Sequence, residues 1–94
     1  LRLSKKEVNL IKNNVSNIFG ESIIYLFGSR VNDTLKGGDI DLYIVSKEKD
    51  DLFKKKLKLK SVLEDILFKP VDIVVAKDNK RVIEKEALSK GLII

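Results

Sequence analysis

The chain has 94 residues, 44% hydrophobic and 35% charged, with 19 Lys and Arg against 14 Asp and Glu for a net charge of +5; this predicts one globular domain, 1–94, with a modest core. It contains no cysteine and no histidine, which excludes disulfides, thiolate or imidazole metal sites, a cysteine nucleophile and the Ser-His-Asp triad. Any catalysis must run on carboxylates, lysines, arginines, hydroxyls and oxygen-bound hard cations.

Ser4-Lys5-Lys6-Glu7 has the form of a capping box, with Leu3 and Val8 at the staple positions around it. Val8, Ile11, Val15, Ile18 and Phe19 recur at helical spacing before Gly20, which predicts a helix over about 5–19. Ser22 to Phe27 is a β-branched and aromatic run, predicted as a buried strand. Residues 28–38 form a connection rich in Gly, Ser, Asn and Asp, with room for a helical turn near Ser29 to Asn32.

A second strand spans 39–46, where alternation puts Ile40, Leu42 and Ile44 on one face and Asp39, Asp41, Tyr43 and Val45 on the other. From 50 to 69 the residues Leu52, Phe53, Leu57, Leu59, Val62, Leu63, Ile66 and Leu67 mostly fit one helical stripe, with Leu59 its least comfortable member. Pro70 ends that helix and Val71 to Val75 is a third strand. Asp78 or Asn79 caps a last helix of about 80–89, stopped by Gly91, and Leu92-Ile93-Ile94 begins a fourth strand. The order α-β-β-α-β-α-β predicts an α+β domain, a small mixed sheet of three or four strands with helices packed on one face. The second and third strands, joined through a helix, are predicted to be parallel.

No apolar run approaches the roughly 18 residues that span a bilayer, and no signal peptide is visible, so a soluble, cytoplasmic protein is expected. The absence of Met predicts that the chain as given begins past its true N-terminus or was processed. Much of the positive excess lies in Lys54, Lys55, Lys56, Lys58 and Lys60; solvated helix faces are the preferred reading over an anion-binding face. Direct nucleic-acid binding is not favoured, because Phe19, Phe27, Phe53 and Phe68 all occupy core-like positions and leave no aromatic platform.

The stretch LFGSRVNDTLKGGDIDLYIV carries the chemistry. Asp39 and Asp41, at i and i+2 on a strand, point to one side with backbones about 6.6–6.8 Å apart, so two short carboxylates can converge on hard cations. Asp72, flanked by Val71 and Ile73, faces away from the core and can join them if the second and third strands are neighbours. Three clustered carboxylates repel one another unless positive charge neutralises them. With no Lys or Arg inside either strand, divalent metal is the natural neutraliser, and two Mg²⁺ about 3.5–4 Å apart are the known arrangement for in-line attack on phosphorus.

Gly28 allows close backbone approach or a positive φ, Ser29 and the residues after it offer N–H groups and a hydroxyl to phosphate oxygens, and Arg30 adds a planar fork. Taken singly, Gly28-Ser29 and Gly37-Gly38 are ordinary turn residues. Their placement relative to three acidic strand positions favours a phosphate and metal site.

At these residues the chain resembles the DNA polymerase β-like nucleotidyltransferase superfamily, whose pattern is G-S, a spacer, D-h-D and a third acidic residue on a later strand. Here these are Gly28-Ser29, Asp39-Ile40-Asp41 and Asp72. Its size, early helix and ending EKEALSKGLII are similar to the minimal nucleotidyltransferase (MNT) group, often encoded beside HEPN-domain proteins. The nine-residue spacer is one shorter than is common in the antitoxin subgroup.

The resemblance implies transfer of AMP from ATP to an acceptor hydroxyl. Asp39, Asp41 and Asp72 would be the catalytic and Mg²⁺-binding residues, and Gly28, Ser29 and Arg30 would bind the triphosphate. For MNT–HEPN pairs it implies an antitoxin that AMPylates a tyrosine of its HEPN toxin, in a hetero-oligomer or as a homodimer. Larger relatives use an additional domain to select the acceptor, so recognition here is expected from a partner or from the exposed sheet face. The alternatives are a catalytically silent module that neutralises a partner by binding, and a nucleotidyltransferase for a small molecule.

Overall fold

The computed structural model describes residues 3–28, 39–77 and 81–94. Helix α1 spans Lys5–Phe19, and its start is the predicted capping box: the Glu7 N–H donates to Ser4 Oγ at 3.1 Å and the Ser4 N–H to Glu7 Oε1 at 3.0 Å. It stops at Gly20, whose φ of 80° is open to glycine at little cost. Strands β1 (Ser22–Phe27) and β2 (Ile40–Ser46) are antiparallel, and β2 pairs in parallel with β3 (Val71–Val75) through helix α2 (Leu52–Leu67). Helix α3 (Val82–Lys90) leads into β4 (Leu92–Ile93), which pairs antiparallel with β1, so the sheet order is β3-β2-β1-β4. The element order and the mixed sheet are those expected from the sequence. Among the described residues no helix is long and apolar enough to cross a membrane.

Strand alternation divides the sheet into two faces. Ile24, Leu26, Ile40, Leu42, Ile44, Val71 and Ile73 pack with Ile11, Val15 and Phe19 of α1 and Leu59, Leu63 and Leu67 of α2. Each such side chain contributes about 1.5–3 kcal/mol when withdrawn from water. The one-sided helical layer expected from the sequence holds for α1 and α2. Helix α3 departs from it: Ala87 packs on the opposite face against Phe27 and Tyr43. The reason is that this face also carries large residues, Tyr25, Phe27, Tyr43 and Val45, which need cover.

Helix α2 uses a narrower stripe than its composition suggests. Leu59, the member with the poorest expected fit, is fully buried, and Leu63 and Leu67 follow it at i+4 and i+8. Leu57, two residues away and thus on the other side of the helix, is half exposed. The expectation of four core phenylalanines is also corrected. Phe19 and Phe27 are buried, whereas Phe53 is 70% and Phe68 90% exposed. Phe68 sits at the end of α2 in the left-handed region (φ 55°), its N–H donating to the Glu64 carbonyl, and so points away from the stripe. Arg81, in an extended conformation, precedes α3; the expected caps Asp78 and Asn79 lie outside the described residues.

Candidate active site

The pairing pattern brings three parts of the chain to one end of the sheet. Antiparallel pairing sets Phe27 opposite Asp41, so the last residue of β1 and Gly28 lie beside the start of β2. Parallel pairing sets Asp41 opposite Asp72, on neighbouring strands and the same face. Asp39 immediately precedes β2. The three predicted aspartates therefore gather at this end, with Asp41 half-buried and Asp39 and Asp72 exposed.

Gly28 has φ 77°, and a Cβ added there would collide with Asp41 Oδ2. The backbone thus closes against the carboxylate, which only glycine permits. Gly28→Ala is expected to cost about 1–3 kcal/mol of stability through the left-handed backbone. By displacing Asp41 it should also lower any transfer activity about a hundredfold, as angstrom-scale misplacement does. Thermal unfolding and the rate of labelled-nucleotide incorporation measure the two effects separately. Ser29 and Arg30, the other expected phosphate ligands, lie outside the described residues, as does the possible helical turn near Ser29 to Asn32.

The electrostatics of the group are those of anions facing one another. Burial raises the Asp41 carboxyl above its ordinary value, reinforced by the charge of Asp72, that of Asp39, a hydrogen bond shared with Asp72, and the charge of Glu86 on α3. Among the described residues no three acidic side chains close round a single ion position. The donor set is nevertheless carboxylate oxygen throughout, the chemistry of hard cations, and the charges of Asp72 and Asp39, which add to burial in raising Asp41, are a repulsion that a divalent cation relieves. These residues fit Mg²⁺.

Two groups near the site are not apparent in the sequence. Lys60 Nζ, reaching from α2 round the open edge of β3, lies 3.7 Å from Asp72 Oδ1 and 3.3 Å from Glu64 Oε2, and donates to the Val71 carbonyl. A cation therefore does stand beside Asp72, supplied by a helix rather than by either strand. Only the Lys60–Glu64 spacing of i, i+4 hints at it in the sequence. The second group is Glu84 on α3, fully buried, whose Oε1 accepts from Tyr43 Oη at 2.9 Å and from the Lys77 N–H at 2.8 Å. Its Oε2 accepts from Arg81 Nε at 2.6 Å, and Arg81 also donates to the Val75 carbonyl at 2.8 Å.

Tyr43 is two residues beyond Asp41 on the same face, so this network anchors the start of α3 on the aspartates' side of the sheet, farther along β3. A groove of about 380 Å³ lined by Phe53, Lys56, Val75, Lys77 and Arg81 lies toward the far end of β3 and contains none of the three aspartates. Chemistry, more than concavity, marks the candidate site.

Comparison with known proteins places the fold. A chain in the structure of the tri-AMPylated Shewanella oneidensis HEPN toxin in complex with MNT antitoxin superposes with a TM-score of 0.76, over 97% of this chain and 71% of that one at 22% identity. A chain in a toxin–antitoxin structure with AMP-PNP gives 0.76 over 97% and 72% at 22% identity, and one in the toxin–antitoxin MntA-HepT gives 0.75 over 96% and 70% at 21%. At these identities the likeness is one of fold. No curated protein sequence matches the chain. The family profile described as "Polymerase beta, Nucleotidyltransferase" matches residues 6–94, so the chain belongs to the polymerase β-type nucleotidyltransferase family.

Proposed function

We propose that residues 1–94 act as one minimal cytoplasmic domain that transfers AMP from ATP to a hydroxyl of a partner protein, a tyrosine of a HEPN-type toxin, and so serve as its antitoxin. The observation that carries the chemistry is the pairing of Asp41 with Asp72 across β2 and β3, beside a Gly28 backbone that leaves room only for the carboxylate. The partner class is supported by the fold neighbours, one a complex of an MNT antitoxin with an AMPylated HEPN toxin and one with AMP-PNP.

In this reading Asp39, Asp41 and Asp72 would hold two Mg²⁺. When bound, the metal supplies charge neutralisation of the triphosphate and acidifies the acceptor hydroxyl. Gly28 and Ser29 would offer backbone and hydroxyl donors to the β- and γ-phosphates, with Arg30 as a further candidate. Asp72 orients the acceptor and draws its proton as the hydroxyl oxygen forms a bond to the α-phosphorus. The bond from that phosphorus to the β-phosphate oxygen breaks in line, and pyrophosphate leaves.

The test is incubation of the chain with labelled ATP, Mg²⁺ and a co-purified helical partner. The partner's tyrosine should acquire label and the mass of adenylate. Nucleotide binding without transfer to any such partner would remove the protein-acceptor reading. Full neutralisation of the partner by an Asp39→Asn/Asp41→Asn double variant would instead favour a silent binding module.

A further inference from the structure

Lys60 makes three contacts at the first turn of β3. Its ammonium donates to the Val71 carbonyl, lies 3.3 Å from Glu64 Oε2 and stands 3.7 Å from Asp72 Oδ1. Glu64 Oε2 in turn accepts the Val71 N–H at 2.9 Å. The N–H and C=O of Val71 both face the open side of the sheet, because the neighbouring Pro70 carbonyl is the one bonded to β2, through the Ile40 N–H. Lys60 and Glu64 therefore clamp the backbone of the residue immediately before Asp72. The backbone acceptor fixes where the ammonium sits, so its charge is a built part of the site and does not wander as a surface lysine's does.

We propose that Lys60 is a positioning residue that serves as a resident counter-charge to Asp72, offsetting part of the carboxylate repulsion when no divalent cation is present and opposing the cation's charge when one arrives. The proposal rests on the reading of the aspartates as cation ligands. Its consequence is a ceiling on metal affinity: the aspartates hold a divalent ion more weakly than they would without Lys60, and release it more readily. An exposed unit charge a few ångströms from a divalent ion is worth about a fivefold change in affinity.

The test is titration of the purified chain with Mn²⁺, followed by the electron paramagnetic resonance signal of the free ion. Lys60→Gln is expected to bind Mn²⁺ about fivefold more tightly than the parent, while Lys60→Arg, which keeps the charge, stays within about twofold. Mere damage to the fold would weaken binding, the opposite sign. If Asp41→Asn abolishes Mn²⁺ binding but Lys60→Gln binds no more tightly than the parent, the counter-charge role is overturned and the metal site stands. If the parent itself takes up no Mn²⁺, both fall.

Discussion

Asp41→Asn is expected to lower AMP transfer about a thousandfold or more and, in the same protein without metal, to raise the melting temperature. The first effect follows from removing a carboxylate from the group proposed to hold the metals, whose transition-state stabilisation is several kcal/mol. The second follows from the sign of the Asp41 shift. Its carboxyl is pushed up by burial and then by Asp72 and Asp39, so the ionised form fits the folded state less well than the unfolded one. Such a group contributes stability below its unfolded value, near 3.8, and loses it as pH rises through the folded one.

At neutral pH the charged Asp41 is thus a burden that asparagine removes. Metal should reverse the ranking: added Mg²⁺ stabilises the parent and leaves the variant unmoved. Thermal unfolding with and without Mg²⁺, beside a labelled-ATP assay, checks all three outcomes. An Asp41→Asn protein that melts below the metal-free parent would contradict the electrostatic account.

Glu84→Ala should be strongly destabilising, costing about 1–3 kcal/mol, because it strands the buried Tyr43 hydroxyl and the Lys77 N–H, while Arg81 keeps the Val75 carbonyl and solvent. A domain of this kind has only about 5–15 kcal/mol in all. Burial alone opposes ionisation of Glu84, but the hydrogen bonds from Arg81, the Lys77 N–H and Tyr43 outweigh it and hold the carboxyl down at about 2. A depressed acid contributes stability that is present above its unfolded value of 4.5 and is lost as pH falls towards about 2.

Stability of the parent should therefore fall steeply between pH 4.5 and 2, and the slope should flatten in Glu84→Gln. Tyr43 gives the alkaline counterpart: burial and then Glu84 push its hydroxyl to about 12. Its share is intact below 10 and disappears as pH rises through 12. Urea unfolding across pH reads both limbs.

These two residues show what the sequence places on the fold and what only the structure reveals. Asp41 is legible because a D-x-D opening an apolar strand has few structural excuses, and Asp72 because a carboxylate inside a β-branched run must face outward. The capping box at Ser4 is legible because its partners are three residues apart. Glu84 is not, since a glutamate in the helical segment VIEKEALSK looks like any solvated helix residue until Tyr43 and Lys77 are placed around it. Lys60 is hidden for the same reason: its reach to Asp72 depends on how α2 lies along β3. Phe53 and Phe68 mislead because size and apolarity do not say which side of a helix, or which backbone conformation at its end, a residue takes.

The parallel register of β2 and β3 also makes the site a late product of biogenesis. Asp41 meets Asp72 only after a 16-residue helix has folded back and the second strand has docked in one alignment; a slip of a single residue would turn Asp72 to the other face. On the proposed reading, a nascent chain that has exposed Asp39 and Asp41 but not Asp72 lacks one of its three cation-binding carboxylates. Nucleotide transfer would then await the folded chain.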